Sequence, residues 1–184
     1  ARGFAPLPLE VPEPISQEVA KSAHEEQAAA QENILEHESG QDQEPLPAEL
    51  LAVGPEQKNT FTYVRAGQAF VSQHIGDMES VAVMDAWQET RQRYEQLFRL
   101  SPKRIVCDYH PEYLTSKWAH EQTLPVVQVQ HHHAHILSVM GENNLEGPVC
   151  GFAFDGTGYG LDGVIWGGEV LLSNLTAFER FANF

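Results

Sequence analysis

The sequence has only two cysteines among its 184 residues, and no apolar run approaches the ~20 residues that a membrane-spanning helix needs. Two cysteines exclude a disulfide framework. We expect Cys107 and Cys150 to be buried, unreactive thiols, because each closes a short apolar run. Since there is no signal peptide either, the sequence predicts a protein of the reducing cytoplasm.

Basic residues are also scarce: 11 Lys and Arg stand against 26 Asp and Glu, for a formal net charge of −15. No basic patch is present, which excludes nucleic-acid binding through phosphate neutralisation. Eleven acidic residues lie in 10–49 with Lys21 as the one base, and large apolar side chains are few there. We therefore expect 10–48 to be an acidic disordered linker with fair helix propensity over 16–38. Residues 1–9 have the character of the tail of a preceding domain, and we expect the chain to be a fragment.

From residue 50 onward, short apolar runs alternate with amphipathic segments. Three strand-like runs (LLAVG, NTFTYVR, QAFVSQH) precede a helical period over 79–100, whose apolar side includes Leu97. RIVCD and PVVQVQ then alternate with helices, and PVCGFAFD, GVIWG and EVLLSNL are further strands. The order βββαβαβα, followed by the start of a second βββ unit, predicts an α/β fold with a mixed sheet covered by helices.

The most informative motif is the histidine run HHHAH at residues 131–135. His131 and His135 are four positions apart, so a helix would project both imidazoles from one face, within reach of one metal ion. His132 would turn towards the apolar side of that helix, whereas we expect His133 to be exposed. A polar helix face that binds no metal is the alternative interpretation.

An apolar strand ends at Asp155 and leads into a glycine-rich loop. Asp155 is a candidate third, anionic metal ligand. The loop residues are candidates to present backbone N–H groups to a phosphate; they are Gly156, Thr157, Gly158, Tyr159 and Gly160. A simple hairpin is the alternative, since Asp-Gly is a strong turn pair.

Two further positions are candidates for ligand binding at strand ends. Lys58 could neutralise a phosphate and Asn59 could hydrogen-bond a carbonyl or amide group, although a solvated turn lysine is equally consistent with the pattern. His74 and His110 either line the same cleft or are structural. No catalytic residue can be assigned from these patterns.

Five motifs in this order resemble the hydrogenase-maturation carbamoyltransferase family HypF: GPEQKNTF, SQHIGDMES, CDYHPEYLTSKWA, VQHHHAHI and FDGTGYGLDGVIWGGE. The resemblance covers about residues 50–184. It implies an actin-like ATPase (ASKHA) fold, with 49–184 as the N-terminal part of the carbamoyltransferase domain. It also implies that His131, His135 and Asp155 are metal ligands and that residues 156–160 lie where the nucleotide or acyl-adenylate is held.

In the family, carbamoyl phosphate and ATP give carbamoyl-adenylate in an upstream domain. The domain represented here then passes the carbamoyl group to the C-terminal cysteine of HypE during [NiFe]-hydrogenase maturation. The resemblance thus implies a divalent metal (Fe or Zn), a small-molecule nucleotide substrate and HypE as partner, with no nucleic-acid or membrane partner.

The family's last metal ligand is an aspartate from the second half of the domain, which this sequence lacks, so we expect the fragment alone to be inactive. Two other interpretations stay open. One is the lobe of a tRNA-threonylcarbamoyl or O-carbamoyl transferase, and the other is a non-catalytic metal-binding fragment.

Overall fold

A computed structural model describes residues 9–10 and 49–184 of the chain. The strands are β1 (Leu9–Glu10), β2 (Leu50–Ala52), β3 (Thr62–Arg65), β4 (Gln68–Val71), β5 (Arg104–Asp108), β6 (Val126–Val129), β7 (Val149–Ala153), β8 (Gly158–Tyr159), β9 (Ile165–Trp166), β10 (Glu169–Ser173) and β11 (Phe178–Asn183). The helices are α1 (Val81–Phe98), α2 (Leu114–His120) and α3 (His131–Glu142). From β2 to α3 the order is βββαβαβα, so the predicted α/β class is confirmed.

The first six strands form one mixed sheet in the order β1-β4-β3-β2-β5-β6. β2, β3 and β4 pair antiparallel as the predicted meander. β5 runs parallel to β2, and β6 runs parallel to β5. Parallel neighbours need a crossover connection, which α2 supplies between β5 and β6. The carboxyl ends of β2, β5 and β6 therefore lie at one edge of this sheet.

The edge strand β1 pairs antiparallel with β4, with Leu9 opposite Ala69 and Glu10 opposite Gln68. Two residues that precede most of the acidic segment thus belong to the first sheet. The rest of the predicted tail and linker, including the helical tendency over 16–38, lies outside the described residues.

Helix α1 covers this sheet with an aromatic face. Trp87 and Tyr94 are buried, and both meet Phe61 edge to face, with ring centroids 5.8 and 5.1 Å away. Such pairs add about 0.5–1.5 kcal/mol to the free energy that area burial contributes. The prediction that Leu97 lies on this side is wrong, because its side chain is 65% exposed. Leu97 lies about 80° around the helix from Trp87, at the margin of the buried stripe.

Local signals set the ends of α1. Ser80 caps the first turn, where its hydroxyl accepts the Val83 N–H at 3.3 Å. Arg99 adopts the left-handed conformation with φ of 53° and closes the last turn, and Pro102 follows. The sequence-based bounds of 79–100 therefore agree with the helix to within two residues at each end.

Residues 149–184 build a second, smaller unit. Its antiparallel sheet has the order β11-β10-β7, and the two-stranded hairpin β8-β9 lies between β7 and β10 in the chain. The start of a second βββ unit is thus present, as predicted. Its three strands are β7, β10 and β11, however, so that Phe178–Asn183 takes the place predicted for GVIWG. GVIWG supplies only Ile165–Trp166, which pair with Gly158–Tyr159 in the hairpin. α3 packs on this sheet through Ile136 and Met140 against Leu171.

The two cysteines differ in environment. Cys107 is buried as predicted, and burial raises the pKa of its thiol to about 11. Cys150 is exposed, so the prediction that it is buried is wrong. Side chains alternate along β7, and Cys150 lies on the face that points away from α3. In the described segments no helix has the length and apolar character needed to cross a membrane.

Candidate functional site

Three strand ends bring the candidate site residues together. β5 ends at Asp108, β6 leads through Gln130 into α3, which begins at His131, and β7 ends two residues before Asp155. The carboxyl edge of parallel strands is where α/β proteins commonly place their sites. Here that edge meets the end of a strand from the second sheet, so the site lies between the two units.

The predicted metal ligands do converge. His131 Nε2 and His135 Nε2 are 3.3 Å apart, and Asp155 Oδ2 lies 3.4 Å from the first and 3.9 Å from the second. One ligand atom from each of the three residues lies within 4.8 Å of the others. Two imidazole nitrogens and a carboxylate oxygen are a donor set suited to Zn²⁺ or Fe²⁺.

The environment of the Asp155 carboxylate is suited to binding a cation. Both of its carboxylate oxygens are buried, and neither accepts a hydrogen bond from any of the residues in 9–10 and 49–184. A buried carboxylate without a hydrogen bond is costly unless a positive charge compensates it. The residues present therefore fit a divalent metal ion.

Asp108 is a member of the site that sequence reasoning missed. Its Oδ2 accepts a hydrogen bond from His131 Nδ1 at 2.7 Å, and this bond to Asp108 raises the pKa of His131. The available signal was its position at the end of a predicted strand, the same signal that identified Asp155. Sequence alone does not reveal that β5 and β6 are neighbours, which is what brings Asp108 to His131.

The other two histidines of the run point inward. His132 is fully buried, and desolvation lowers its pKa. Its Nε2 lies 3.1 Å from Asp155 Oδ2, without the alignment of a hydrogen bond. The prediction that His133 is exposed is wrong: it packs against Phe178, and its Nε2 lies 3.1 Å from the carbonyl oxygen of Asn174. β11 and the turn before it cover His133, and burial lowers its pKa.

The glycine loop divides into an open part and a packed part. Gly156 and Thr157 are exposed, and a Cβ at Gly156 would meet no atom within 4 Å. Gly158 is packed so tightly that a Cβ would lie 2.5 Å from His132 Cε1. Tyr159 pairs with β9, and the Gly160 N–H donates to the Val164 carbonyl at 2.9 Å. The second part of the loop therefore forms a hairpin, as the alternative interpretation predicted, and the first part stays open.

Lys58 and Asn59 lie at the turn that follows β2. Lys58 has φ of 50°, and its backbone N–H donates to Asp77 Oδ1 at 2.7 Å while its side chain is exposed. Asn59 is fully buried, and its Nδ2 donates to the carbonyl oxygens of Val53 and Pro55 at 3.0 and 2.6 Å. Neither residue contacts the histidine cluster within the part of the chain that the structure describes.

An aromatic group lies beside the cluster. His110 stacks on Tyr113 with ring centroids 4.1 Å apart and meets Tyr159 edge to face at 5.4 Å. Burial raises the pKa of Tyr113, and the nearby carboxylates of Asp108 and Asp155 add to this rise. His110 therefore lies at the site, which agrees with the interpretation that it lines the cleft. His74 is exposed in the loop that follows β4.

Two family models match the described part of the chain. Residues 45–142 match the HypF Kae1-like domain, and residues 151–184 match the second subdomain of the carbamoyltransferase Kae1-like domain. The stretch between the two matches, residues 143–150, leads from the end of α3 into β7. The carbamoyltransferase HypF of Synechocystis sp. is 39% identical over 184 residues, which is 100% of this chain and 20% of that protein.

Two solved structures are similar as well. A full-length HypF described as phosphate- and nucleotide-bound has a TM-score of 0.72 and 46% identity, over 73% of this chain and 21% of that one. T. kodakarensis HypF also has a TM-score of 0.72, with 35% identity over 99% of this chain and 20% of that one. The chain thus spans about one fifth of the length of its relatives. These matches identify a Kae1-like domain, which confirms the expected ASKHA-type fold, and we conclude that the chain belongs to the HypF carbamoyltransferase family.

Proposed function

We propose that this chain is the part of a carbamoyltransferase that carries three of its metal ligands. The parent enzyme would move a carbamoyl group from carbamoyl-adenylate, made from carbamoyl phosphate and ATP, to the C-terminal cysteine of HypE in [NiFe]-hydrogenase maturation. The observation that carries the proposal is the convergence of His131, His135 and Asp155 within 4.8 Å, in a chain of the HypF family.

The three ligands would hold Zn²⁺ or Fe²⁺ through two Nε2 atoms and the Asp155 carboxylate. When bound, such an ion acts as a Lewis acid that polarises a carbonyl oxygen. His132 closes the inner wall of the site, and Gly158 lets the hairpin backbone approach both His131 and His132. These residues exclude water from the inner side of the ligands, so incoming substrate must approach from the side of the exposed His135.

The nucleotide would lie against the open part of the glycine loop. Gly156 and Thr157 can offer backbone N–H groups to phosphate, whereas the Tyr159 and Gly160 backbones take part in the β8-β9 hairpin. Lys58 has an exposed side chain at the turn after β2, and the buried Asn59 fixes the backbone of that turn. A similar full-length HypF is described as nucleotide-bound, which supports nucleotide binding by the parent enzyme.

The acceptor is a thiol, and this fits a reducing cytoplasm. The two cysteines of the chain are free and unpaired. Because the described residues supply three metal ligands, one fewer than the resemblance implies, we expect the 184-residue chain alone to lack transferase activity.

The test uses this chain and the longer protein that carries it. Equilibrium dialysis should show that the chain binds one Zn²⁺ or Fe²⁺, and His135→Ala should abolish tight binding. His120→Ala is the matched control, because His120 is exposed on α2, away from the cluster. In the longer protein, His135→Ala should abolish carbamoyl transfer to a HypE C-terminal peptide. Metal binding that His135→Ala leaves unchanged, or transfer to tRNA instead of the peptide, would refute the proposal.

A further inference from the structure

We propose that Asp108 is a positioning residue that fixes His131 in the tautomer able to bind metal, while Gln130 fixes the adjacent His132 in the opposite tautomer. This inference rests on the proposed metal site and adds a reason why particular histidines of the run are ligands. The evidence is the hydrogen-bond partner of each Nδ1 atom.

Asp108 is itself rigidly held. Its side chain is 9% exposed, and its Oδ1 accepts the His110 backbone N–H at 2.8 Å. The Ser116 hydroxyl donates to the Asp108 backbone carbonyl at 3.1 Å. With Oδ1 so engaged, Oδ2 faces His131 Nδ1 at 2.7 Å. A carboxylate has no proton to donate, so Nδ1 of His131 must carry the hydrogen.

This assignment leaves a lone pair on His131 Nε2. That atom lies 3.3 Å from His135 Nε2 and 3.4 Å from Asp155 Oδ2, at the point where the three ligand atoms converge. In the other tautomer a hydrogen would occupy this position and block a metal bond. Carboxylate partners of this kind commonly orient metal-binding histidines and raise their basicity.

Gln130 has the opposite effect on His132. The Gln130 Oε1 atom accepts the His133 backbone N–H at 2.9 Å, which fixes the orientation of the amide. The Gln130 Nε2 group therefore donates, and its neighbours are His132 Nδ1 at 3.1 Å and the Tyr159 carbonyl at 3.3 Å. Because His132 Nδ1 accepts, Nε2 carries the hydrogen; this atom lies 3.1 Å from Asp155 Oδ2 but is not aligned for a hydrogen bond. His132 is thus close to the carboxylate but cannot act as a ligand.

The test measures tautomers and metal affinity separately. Long-range ¹H–¹⁵N spectra of the metal-free chain at a pH above the histidine titration should show His131 with hydrogen on Nδ1 and His132 with hydrogen on Nε2. Asp108→Ala should give His131 a mixture of tautomers, and Gln130→Glu should move the His132 hydrogen to Nδ1. Asp108→Asn and Asp108→Ala should weaken Zn²⁺ binding by about 10–100-fold.

Asp85→Asn is the matched control, because Asp85 is exposed on α1 and its substitution changes the net charge equally. It should leave the spectra and the affinity unchanged. Unaltered His131 tautomer and Zn²⁺ affinity in folded Asp108 variants would overturn this inference. Failure of the wild-type chain to bind Zn²⁺ would instead overturn the proposed function, and the metal-free spectra would still decide the role of Asp108.

Discussion

At the scale of single residues, the tight approach of the β8 backbone to α3 depends on Gly158. A Cβ at this position would lie 2.5 Å from His132 Cε1 and 3.0 Å from His131 Cβ. Gly158→Ala should therefore displace two histidines at once. We expect a loss of about 1–3 kcal/mol in the free energy of unfolding, measured by urea denaturation.

Gly156→Ala is the control for this change, since a Cβ at Gly156 meets no atom within 4 Å. Its free energy of unfolding should stay within about 0.5 kcal/mol of wild type. Equal destabilisation by the two substitutions would contradict the role of packing against the histidines, because only Gly158 has this contact.

The residues of the site were predictable from sequence where the signal was local. The spacing of His131 and His135 fixes a common helix face, and Asp155 follows directly from an apolar run. Asp108 and His133 were not predictable in this way. Their environments depend on which strand lies next to which: Asp108 reaches His131 across β5 and β6, and β11 covers His133.

At the scale of elements, an ion pair between a buried carboxylate and a partly exposed guanidinium joins β10 and β11. Arg180 donates from Nε to Glu169 Oε2 at 2.6 Å and from its Nη2 group to Oε1 at 2.8 Å. The Glu169 side chain is fully buried, and the Arg180 guanidinium also lies 4.4 Å from the centre of the Trp166 ring. Hydrogen bonding to Arg180 lowers the pKa of Glu169 below its usual 4.5.

Arg180→Ala should destabilise the chain by about 1–3 kcal/mol at neutral pH, because it leaves the buried Glu169 carboxylate with the Gly167 N–H but without a counter-charge. The ionised form of Glu169 is the one that the fold stabilises. Its contribution is therefore fully present above pH 4.5 and is lost as the pH falls through the lowered pKa. The difference between wild type and variant should shrink in acid, as measured by urea denaturation across this range.

The exposed pair of Arg93 and Glu89 on α1 provides the control, with side chains 77% and 68% exposed. Arg93→Ala should cost less than about 1 kcal/mol and show little dependence on pH. A deficit of Arg180→Ala that stays constant as the pH falls below 4.5 would contradict the assigned role of Glu169.

Elements whose apolar residues recur at a regular spacing were predictable from sequence. The strand pairing of short apolar segments was not. The strand and helix order from β2 to α3 follows from apolar periodicity alone. GVIWG and FERFAN differ little as isolated segments, yet the first forms half of a hairpin and the second is a sheet strand. The reversal at Gly167 and Gly168 decides this, because the Gly168 N–H donates to the Asp155 carbonyl and returns the chain to β7.

At the scale of the whole molecule, the second sheet leaves apolar surface uncovered. Phe152, Phe154 and Phe184 are exposed, with Phe154 at 75%. The ring centroid of Phe154 lies 6.1 Å from that of Phe152 and 5.8 Å from that of Phe184. β7 has no strand partner on the side away from β10 among residues 49–184. An open groove of about 520 Å³ runs between this edge and α3. Such apolar patches favour association.

We therefore expect the 184-residue chain to self-associate with increasing concentration in sedimentation velocity experiments. The double variant Phe152→Lys, Phe184→Asp should shift the distribution towards monomer, because it puts charges on the patch. Val81→Lys serves as the control, since Val81 is equally exposed at the start of α1, in the other unit. If all three proteins remain monomeric alike, the patch does not drive association.

The uncompensated carboxylate of Asp155 has a consequence for the stability of the whole chain. Without a cation, the fold buries two oxygens that accept no hydrogen bond from the described residues, and this desolvation opposes folding. Asp155→Asn should therefore raise the free energy of unfolding of the metal-free chain by about 1 kcal/mol at pH above the histidine titration, while it abolishes metal binding. Thermal denaturation with and without Zn²⁺ would measure both effects. A variant less stable than the wild-type chain in the absence of metal would contradict this expectation. A more stable variant would show a function–stability trade-off, in which the metal-binding residue destabilises the fold when no metal ion is bound.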